Sequence, residues 1–281
     1  MNITFWGTRG SIPTPQPDRM KYGGNTACLG VTLQDDERIL ILDAGTGIRE
    51  LGLELVKRRE RIKIGLLLTH FHWDHLQGIP FFAPLYVKQC ECTFVGCDLS
   101  GEALKKRLQD ALGPPYFPVD FDVFQANVDF IDHCESELDV GPFRVGVIPI
   151  HHPGGCLAYR ITAGQRTVVY MTDHELDGLE QKGKVYQHLV DFCGGVDLLV
   201  HDAQYTPEEY AKKRGWGHSS YTAAVDFAAT CGVKRLALFH HDPEHDDGAV
   251  DSIVQKSQQA LIEKGSSIDC FAAREGLVMT W

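Results

Sequence analysis

Four side chains able to bind a metal ion lie within six residues of one another, at positions 70 to 75. His70 and His72 are two residues apart, and alternate side chains of an extended segment point the same way. A turn after them would bring Asp74 and His75 to a second position. Imidazole and carboxylate donors together suit Zn²⁺ or another borderline transition metal, whereas Mg²⁺ and Ca²⁺ prefer oxygen ligands throughout. The segment therefore predicts a transition-metal site.

Further metal-capable residues each follow an apolar run elsewhere in the chain: His151 and His152, Asp173, and His240 and His241. Residues just beyond the ends of strands commonly hold ligands at the edge of a sheet. Each one alone is more often an ordinary hydrogen-bonded loop residue. The prediction that they complete the metal site therefore depends on their occurring together with the segment at 70 to 75.

Short strands are the elements that must position these residues. Apolar and alternating runs predict strands at 1–7, 27–33, 38–42, 62–68, 92–95, 128–131, 143–150, 157–161, 167–171, 197–200, 235–239 and 267–271. Helical patterns lie at 48–57, 101–112, 207–214, 220–231 and 250–264. This order predicts sheets covered by helices in one layered domain, 1–281. The stretch 97–122 is an expected insertion, either a cap over a site or a plain surface excursion.

The composition limits the classes of function. The 281 residues are 43% hydrophobic and 23% charged, which is typical of a globular protein. Acidic residues outnumber basic ones by 38 to 27, and the net charge of −11 disfavours a large nucleic-acid footprint. No run approaches the ~20 apolar residues that span a bilayer, and no secretory signal opens the chain, so we predict a cytoplasmic protein. Nine dispersed cysteines predict free thiols in a reducing compartment.

A set of motifs extends over nearly the whole chain: F-W-G-T-R-G-S at 5–11, L-D-A-G-T-G-I at 42–48, T-H-F-H-W-D-H at 69–75, H-P-G-G at 152–155, T-D at 172–173, L-L-V-H-D-A at 198–203, G-H-S-S at 217–220 and F-H-H-D-P at 239–243. Together they resemble the metallo-β-lactamase fold superfamily, and within it the ribonuclease Z-like phosphodiesterase branch. The resemblance implies an α+β fold, a four-layer αββα sandwich. The H-x-H-x-D-H motif is specific for this fold and much less specific for substrate.

The resemblance also implies two divalent metal ions, with Zn favoured and Mn or Fe left open. The implied ligands form two sets that share a bridging carboxylate: His70, His72 and His152 for one ion, Asp74, His75 and His240 for the other, and Asp173 between them. His152 is preferred to His151 because its spacing to Tyr159 resembles that of the family's histidine, which a tyrosine follows seven residues later. His240 is preferred to His241 because it resembles the family's last ligand, which stands two residues after the leucine that closes the strand, here Leu238. An offset of one residue stays open in both pairs.

His218 resembles the family histidine that protonates the leaving oxygen or stabilises the transition state. It precedes a predicted helix, so an ordinary histidine beside a helix cap is the alternative reading. Asp202 resembles the acidic partner that orients this histidine, and Asp74 completes the implied catalytic set. Asp43 is either a residue that orients a ligand histidine or a turn aspartate before a helix.

Two other groups of polar residues have less specific signals. Arg9 and Asn25 are candidates for contact with substrate. Cys90, Cys92 and Cys97 have no second ligand pair near them, so we expect free thiols rather than another metal site.

The implied activity is a dinuclear metal-dependent hydrolase that acts on a small phosphodiester, for example a cyclic nucleotide. A hydroxide held between the two metals would attack, with His218 as the acid. The ions would also reverse the local field of an acidic protein, so −11 argues only against long anions. Trp73 and the stretch 81–86 predict an enclosed mouth for a small ligand, or simply a core.

Three alternatives remain open. A tRNA 3′-end endonuclease is disfavoured because the chain between His152 and Asp173 is too short for a tRNA-binding arm and no Lys/Arg cluster is present. A non-hydrolytic di-iron protein that binds oxygen or acts as a sensor would use nearly the same ligands. A β-lactamase or thioesterase is less favoured because of His218. The expected partner is a small phosphodiester, with no membrane and no long nucleic acid, and a homodimer is left open.

Overall fold

A computed structural model of the protein describes residues 1–57, 61–118, 121–179 and 183–281. Its strands are β1 (Asn2–Gly7), β2 (Cys28–Thr32), β3 (Arg38–Leu42), β4 (Ile62–Leu67), β5 (Cys90–Gly96), β6 (Asn127–Asp132), β7 (Ser136–Val140), β8 (Phe143–Ile150), β9 (Cys156–Ala163), β10 (Arg166–Met171), β11 (Leu198–Asp202), β12 (Arg235–Phe239), β13 (Asp269–Ala272) and β14 (Val278–Thr280). Its α-helices are α1 (Ile48–Lys57), α2 (Trp73–Leu76), α3 (Leu104–Leu112), α4 (Lys184–Cys193), α5 (Pro207–Tyr210), α6 (Tyr221–Cys231) and α7 (Asp247–Glu263). Short 3-10 helices lie at Pro17–Arg19, Ile79–Phe81, Ala83–Tyr86 and Phe121–Val123.

The described strands form two seven-stranded sheets. The first has the order β14-β1-β2-β3-β4-β5-β6 and the second has the order β13-β12-β11-β10-β9-β8-β7. Strands β3 to β6 run parallel to one another, and so do β10 to β13. Because parallel strands end at the same edge, the residues that follow them are brought to one side of each sheet.

The main core lies between the two sheets, and a second core covers the outer face of each. In β3, Leu40 and Leu42 pack between the sheets, whereas Ile39 and Ile41 pack on the outer side with α1 and α3. In β12, Ala237 joins the inter-sheet core, while the outer face of that sheet packs against α4, α6 and α7. Alternate side chains of a strand point to opposite faces, so strands buried on both faces are apolar throughout. The predicted α+β four-layer αββα sandwich is confirmed.

Most predicted strands and helices are present, with shifted ends. The helix predicted at 101–112 begins at Leu104, and the helix predicted at 207–214 already ends at Tyr210. Two strands, β7 and β14, and two α-helices, α2 and α4, were not predicted. Strand β7 is an edge strand with mostly exposed side chains, so it lacks an apolar run. In α4 the buried residues Tyr186, Leu189 and Cys193 have helical spacing, so a sequence signal was present.

Cys97 and Cys134 form a disulfide, so the prediction of nine free thiols is wrong for this pair. The two cysteines follow β5 and β6, which are parallel neighbours with Gly96 opposite Asp132. Their Cα atoms lie 5.0 Å apart, a separation that suits a disulfide. Tertiary pairing of two strands, which spacing along the chain does not reveal, decides this contact. Cys90 and Cys92 are free and buried, as expected.

Among the described residues, no helix combines the length and apolar character needed to cross a membrane. The single domain 1–281, the cytoplasmic location and the homodimer stay predictions. Within the stretch 97–122, residues 119 and 120 lie outside the described part of the chain.

Candidate metal centre

The metal-capable residues predicted from the sequence converge at one place, beyond the ends of strands from both sheets. The segment at 70 to 75 follows β4, His152 follows β8, Asp173 follows β10, and His240 follows β12. Asp74 and His75 lie in the single turn of α2, whereas His70 and His72 precede it. Strands of both sheets therefore deliver their next residues to one shared site.

The first group consists of His70, His72, His152 and Asp173, whose ligand atoms all lie within 4.8 Å of one another. His152 Nε2 is 3.1 Å from His72 Nδ1 and 3.9 Å from Asp173 Oδ2. His70 Nε2 is 3.6 Å from the same carboxylate oxygen. His72 is exposed and the other members are buried, so this group opens toward solvent on one side.

The second group consists of Asp74, His75, Asp173 and His240, all buried, with ligand atoms again within 4.8 Å of one another. Asp173 Oδ1 is 3.1 Å from His75 Nε2 and 3.2 Å from His240 Nε2. Asp74 Oδ2 is 3.2 Å from His240 Nε2, and it also accepts a hydrogen bond of 2.7 Å from the Ser11 backbone N–H. The aspartate that is shared by both groups therefore has Oδ2 toward the first group and Oδ1 toward the second.

Hydrogen bonds at the opposite ring nitrogens set the orientation of these histidines. His75 Nδ1 lies 2.8 Å from Asp43 Oδ2, and His152 Nδ1 lies 2.8 Å from the Gly217 carbonyl oxygen. His240 Nδ1 lies 2.8 Å from Gln204 Oε1. In a neutral imidazole, donation from Nδ1–H to such an acceptor leaves Nε2 with its lone pair toward the site, as is usual for metal-binding histidines. Asp43 thus orients a histidine, the first of the two roles considered for it.

His218 and Asp202 form a pair beside the two groups. His218 Nδ1 lies 2.7 Å from Asp202 Oδ2, and its ring stacks on His240 with centroids 4.9 Å apart. Burial opposes protonation of His218, but the charge of Asp202 and the hydrogen bond to it outweigh burial and raise the pKa of His218 to about 9. Asp202 also accepts from the backbone N–H of Gln204, so its own position is held by the loop after β11.

Burial and charge divide the other side chains by protonation state. Burial lowers the pKa of His152 to about 4 and holds that of His70 well below its ordinary value. Burial acts to raise the pKa of Asp173, but the neighbouring His240 and His75 outweigh it and hold that pKa well below its ordinary value. A neutral imidazole and an ionised carboxylate are the forms that bind metal.

The residues present fit a pair of divalent ions. His70 Nε2 is buried and has no hydrogen-bond partner, which is a costly state for a polar atom unless another group occupies the space beside it. Its neighbours are imidazole and carboxylate atoms of the same group, a donor set that suits Zn²⁺. A bound cation would satisfy this nitrogen and offset the repulsion among the carboxylates.

The structure separates the adjacent histidines that the sequence left open. His152 lies in the first group, whereas His151 is exposed on the surface. His240 lies in the second group, whereas His241 Nε2 is 2.8 Å from the Ala273 carbonyl oxygen. Neither His151 nor His241 belongs to the groups found among the described residues.

Arg9 and Asn25, which were considered as substrate contacts, form hydrogen bonds with other groups of the protein. Arg9 is fully buried and donates to backbone carbonyls of the 19–23 and 242–245 loops. Asn25 donates from its side chain to Glu275 at 2.9 Å. The buried guanidinium of Arg9 is directed to these carbonyls and so disfavours the predicted substrate contact, while for the half-buried Asn25 that contact stays a prediction.

Three supporting residues were not predicted from the sequence: Gln204, Glu175 and Gly217. Glu175 accepts hydrogen bonds from the backbone N–H groups of Gly215 and Gly217, at 2.8 and 2.9 Å, and so holds the loop that carries His218. Gln204 directly follows the L-L-V-H-D-A motif, and Gly217 is the first residue of G-H-S-S. Neither motif indicates which residue each of them contacts. Their roles depend on contacts between loops far apart in the chain.

A cavity of about 490 Å³ opens beside the first group. His70, His72 and Trp73 line one side of it, and Arg107 and Tyr116 line another. The stretch 97–122 therefore borders the site, as a cap would. Within the stretch 81–86, Phe82 and Leu85 are core residues. The prediction that this stretch lines the entrance of the site is therefore wrong for these two residues.

A family model described as a beta-lactamase superfamily domain matches residues 37–241, which contain both groups of metal-capable residues. The chain belongs to the beta-lactamase superfamily. The resemblance to the metallo-β-lactamase fold superfamily, inferred from the motifs, is thereby confirmed.

Relatives of this beta-lactamase superfamily member extend over its full length. Ribonuclease Z of Lactococcus lactis subsp. cremoris strain SK11 is 26% identical over 322 aligned residues, covering 98% of this chain and 100% of the relative. The metallo-beta-lactamase fold protein YhfI from Bacillus subtilis has a TM-score of 0.71 at 19% identity, covering 99% of this chain and 98% of YhfI. A diphosphatase from the PhnP family has a TM-score of 0.69 at 16% identity, covering 100% of this chain and 97% of that structure. At such identities the solved structures show a shared fold.

Proposed function

We propose that the protein is a dinuclear metal-dependent phosphodiesterase that acts on a small phosphodiester such as a cyclic nucleotide. The proposed ligands of one ion are His70, His72 and His152. Asp74, His75 and His240 would hold the other, and Asp173 would be shared by the two ions. Zn²⁺ is the proposed metal.

The two oxygens of Asp173 are the observation that carries this proposal. One oxygen faces each group, at 3.6 Å from His70 Nε2 and at 3.1 Å from His75 Nε2. A carboxylate in this position can join two cations that are a few ångströms apart. When bound, such a pair makes water more acidic and neutralises charge that develops on phosphoryl oxygens.

We assign His218 the role of the general acid. Asp202 occupies its Nδ1, which leaves Nε2 to hold the proton that passes to the leaving oxygen. The stacked His240 ring and the Asp202 hydrogen bond keep the imidazole in one orientation. Asp74, fixed by the Ser11 N–H, keeps a negative charge at the second group.

A small substrate is favoured by the surroundings of the site. The chain between His152 and Asp173 consists of β9, β10 and short turns, so this part of the molecule contains no arm that could hold tRNA. The net charge of −11 disfavours binding of a long polyanion. The cavity beside His72 has a volume of about 490 Å³, a size that suits a small ligand.

A tRNA 3′-end endonuclease is the second candidate, and the relatives named ribonuclease Z favour it. It predicts cleavage of a precursor tRNA and slower turnover of cyclic nucleotides. The two candidates share the metal centre and differ in the substrate, so a direct comparison of substrates separates them.

The test is hydrolysis by zinc-reconstituted protein of bis(p-nitrophenyl) phosphate, a panel of cyclic nucleotides, precursor tRNA and nitrocefin. We expect turnover of the small phosphodiesters, with kcat lowered by roughly 10²- to 10⁴-fold in His218→Ala. The control is His188→Ala, which removes an exposed histidine on α4. Turnover of nitrocefin alone would contradict the proposed function. Full kcat in His218→Ala with its metals retained would contradict the role assigned to His218.

Metal analysis of protein purified without added metal tests the ligands. We expect two equivalents of zinc, less in His152→Ala, and an unchanged content in His151→Ala, the matched variant of the adjacent exposed histidine. Two irons with an oxygen-sensitive spectrum would favour the di-iron alternative instead.

A further inference from the structure

The cavity beside His70 and His72 has a wall that the proposed chemistry does not use. One side is formed by the segment that contains the metal-capable histidines, and the facing side by α3 and the turn after it. The backbone at Pro153, Gly154 and Gly155 lines a third side, and a Cβ at Gly154 would have nothing within 4 Å. The cavity therefore continues directly from the first group of proposed ligands.

Two large aromatic side chains stand exposed at this cavity. Trp73 is 66% exposed and Tyr116 is 69% exposed, and their ring centroids are 6.5 Å apart at an angle of 61°. Removal of apolar surface from water is favourable, by roughly 25 cal/mol for each Å² covered. Exposure of two such rings at the mouth of a site is typical of a surface that a ligand covers.

We propose that Trp73 and Tyr116 form a subsite for the planar heterocyclic base of a nucleoside phosphodiester. This inference rests on the proposed function, and it assigns the substrate class of that same site. The base would pack against the two rings while the phosphodiester group lies at His70 and His72. Stacking on aromatic rings is available to every base, so this subsite would select for a base without strong preference among bases.

The charges at the cavity disfavour a second phosphate there. Among the described lining residues Arg107 is the only lysine or arginine, and its guanidinium is paired with both Asp98 and Glu102, the latter at 3.0 Å. Asp98 and Asp110 also line the cavity. A diphosphate or an RNA backbone would meet carboxylates and a neutralised guanidinium, whereas an uncharged base would not be repelled.

The wall that carries Tyr116 is held in place. Cys97, at the start of the stretch 97–122, forms a disulfide with Cys134. The Arg107 Nε donates to Asp98 Oδ2 at 2.5 Å. Leu104 and Leu108 of α3 are buried in the core of the first sheet. Trp73 is held by its position in α2, between His72 and Asp74. Trp73 is therefore part of a helix on one side of the cavity, and Tyr116 lies on the other side in the turn after α3, where its N–H donates to the Gly113 carbonyl at 2.9 Å.

The experiment compares two substrates that differ only in the base. One is adenosine 2′,3′-cyclic phosphate, and the other is the 2′,3′-cyclic phosphate of methyl β-ribofuranoside, which keeps the sugar and the cyclic diester. Zinc-reconstituted protein is assayed by ³¹P NMR for opening of the ring by water to the monoester. We expect kcat/KM to be about tenfold higher for the adenosine compound, within the range of base stacking on one or two rings.

Variants locate this preference. Trp73→Ala and Tyr116→Ala should each lower kcat/KM for the adenosine compound by roughly 5- to 50-fold and change it less than about twofold for the base-free compound. Trp73→Phe and Tyr116→Phe keep a ring and should retain most of the preference. Ile262→Ala, which shortens an exposed apolar side chain on α7, is the control and should change neither rate.

A second measurement does not depend on turnover. Calorimetric titration with adenosine 3′-monophosphate should give a Kd about tenfold weaker in Trp73→Ala than in the natural protein. Titration with inorganic phosphate should give equal values for the two proteins. Size-exclusion chromatography with light scattering is run on the same samples.

The outcomes distinguish the two proposals. Equal kcat/KM for both cyclic phosphates, or loss of both rates together in the alanine variants, would overturn the base subsite and leave the phosphodiesterase standing. A change of oligomeric state in Trp73→Ala or Tyr116→Ala with the base preference intact would show that the rings form an interface between copies, which also overturns it. Absence of hydrolysis of either compound and of bis(p-nitrophenyl) phosphate would overturn the proposed function and this inference with it.

Discussion

At the scale of single residues, the orientation of each site histidine depends on the hydrogen-bond partner of its Nδ1. His75, His152 and His240 each present Nε2 because Nδ1 contacts a carboxylate, a carbonyl or an amide oxygen. His218 has the same arrangement with Asp202, but its pKa is raised to about 9 while that of His152 is lowered to about 4. The difference follows from the partner, because an ionised carboxylate favours a charged imidazole and a neutral carbonyl does so far less.

The first prediction concerns this pair in metal-free protein. Asp202→Asn should lower the pKa of His218 from about 9 toward 6.5, because it removes the charge that outweighs burial. The imidazole Cε1–H resonance, followed by NMR over pH, measures this change. Asp191→Asn, on the exposed side of α4, should leave the titration of His218 unchanged.

The same shift affects stability against pH. A folded pKa above the unfolded value stabilises the folded state below pH 6.5, and that contribution is lost as the pH rises through about 9. The natural metal-free protein should therefore lose more stability to urea between pH 6 and pH 10 than Asp202→Asn does. An equal loss in the two proteins would contradict the assignment.

At the scale of elements, the loop before α6 sets the position of two site residues at once. The Gly217 carbonyl contacts His152 Nδ1, and the next residue along the chain is His218. Gly217 has φ of 91°, in the region that favours glycine, and a Cβ built on it would lie 2.2 Å from His152 Nδ1. Glu175 accepts from the N–H of the same residue. The glycine is therefore required by both its conformation and its neighbour.

The second prediction is that Gly217→Ala displaces His152. We expect a loss of roughly 1–3 kcal/mol in the free energy of unfolding together with a lower zinc content, measured by urea denaturation and metal analysis. Gly232→Ala is the matched control, because Gly232 has φ of 63° at the end of α6 and nothing lies within 4 Å of its added Cβ. It should lower stability and keep the full zinc content. Full zinc content in both variants would show that this glycine does not position His152.

At the scale of the whole molecule, Arg9 joins segments that are far apart in the chain. Its guanidinium is fully buried and donates to the carbonyl oxygens of Gly23, Asp242 and His245, at 2.8, 3.2 and 2.8 Å. The last two lie just beyond His240, so this contact ties the start of the chain to the loop at the second metal group. Without the guanidinium, the carbonyls of Gly23 and His245 would lose this donor, whereas that of Asp242 would keep the His245 backbone N–H at 3.0 Å.

The third prediction is that Arg9→Met lowers Tm by roughly 5–10 °C, as expected for a loss of about 3 kcal/mol in a chain of this size. Differential scanning calorimetry of the metal-free protein measures it. Arg49→Met removes an exposed arginine on α1 and should change Tm by less than about 2 °C. Similar Tm values for the two variants would contradict the role given to Arg9.

The sequence by itself determined the layered fold and the residues that converge. Strands such as β3, β8 and β12 were predicted with the bounds that the structure has, because each is an apolar run that is buried on at least one face. The candidates at 70–75, 151–152, 173 and 240–241 were predicted as well, because each follows the end of such a run or belongs to the H-x-H-x-D-H motif, whereas the choice of seven ligands among them came from the family resemblance. Local spacing carries this information, since a strand's register and the residue after it are properties of one segment.

Only the tertiary structure decided the contacts between segments. It selected His152 over His151 and His240 over His241, paired Cys97 with Cys134, and turned Arg9 into the interior. Adjacent residues of one type have nearly the same local signal, and what separates them is which side of the backbone faces the other sheet. That choice is made when the two sheets pack, because packing buries one of the two neighbours in the site and leaves the other to solvent or to a different loop.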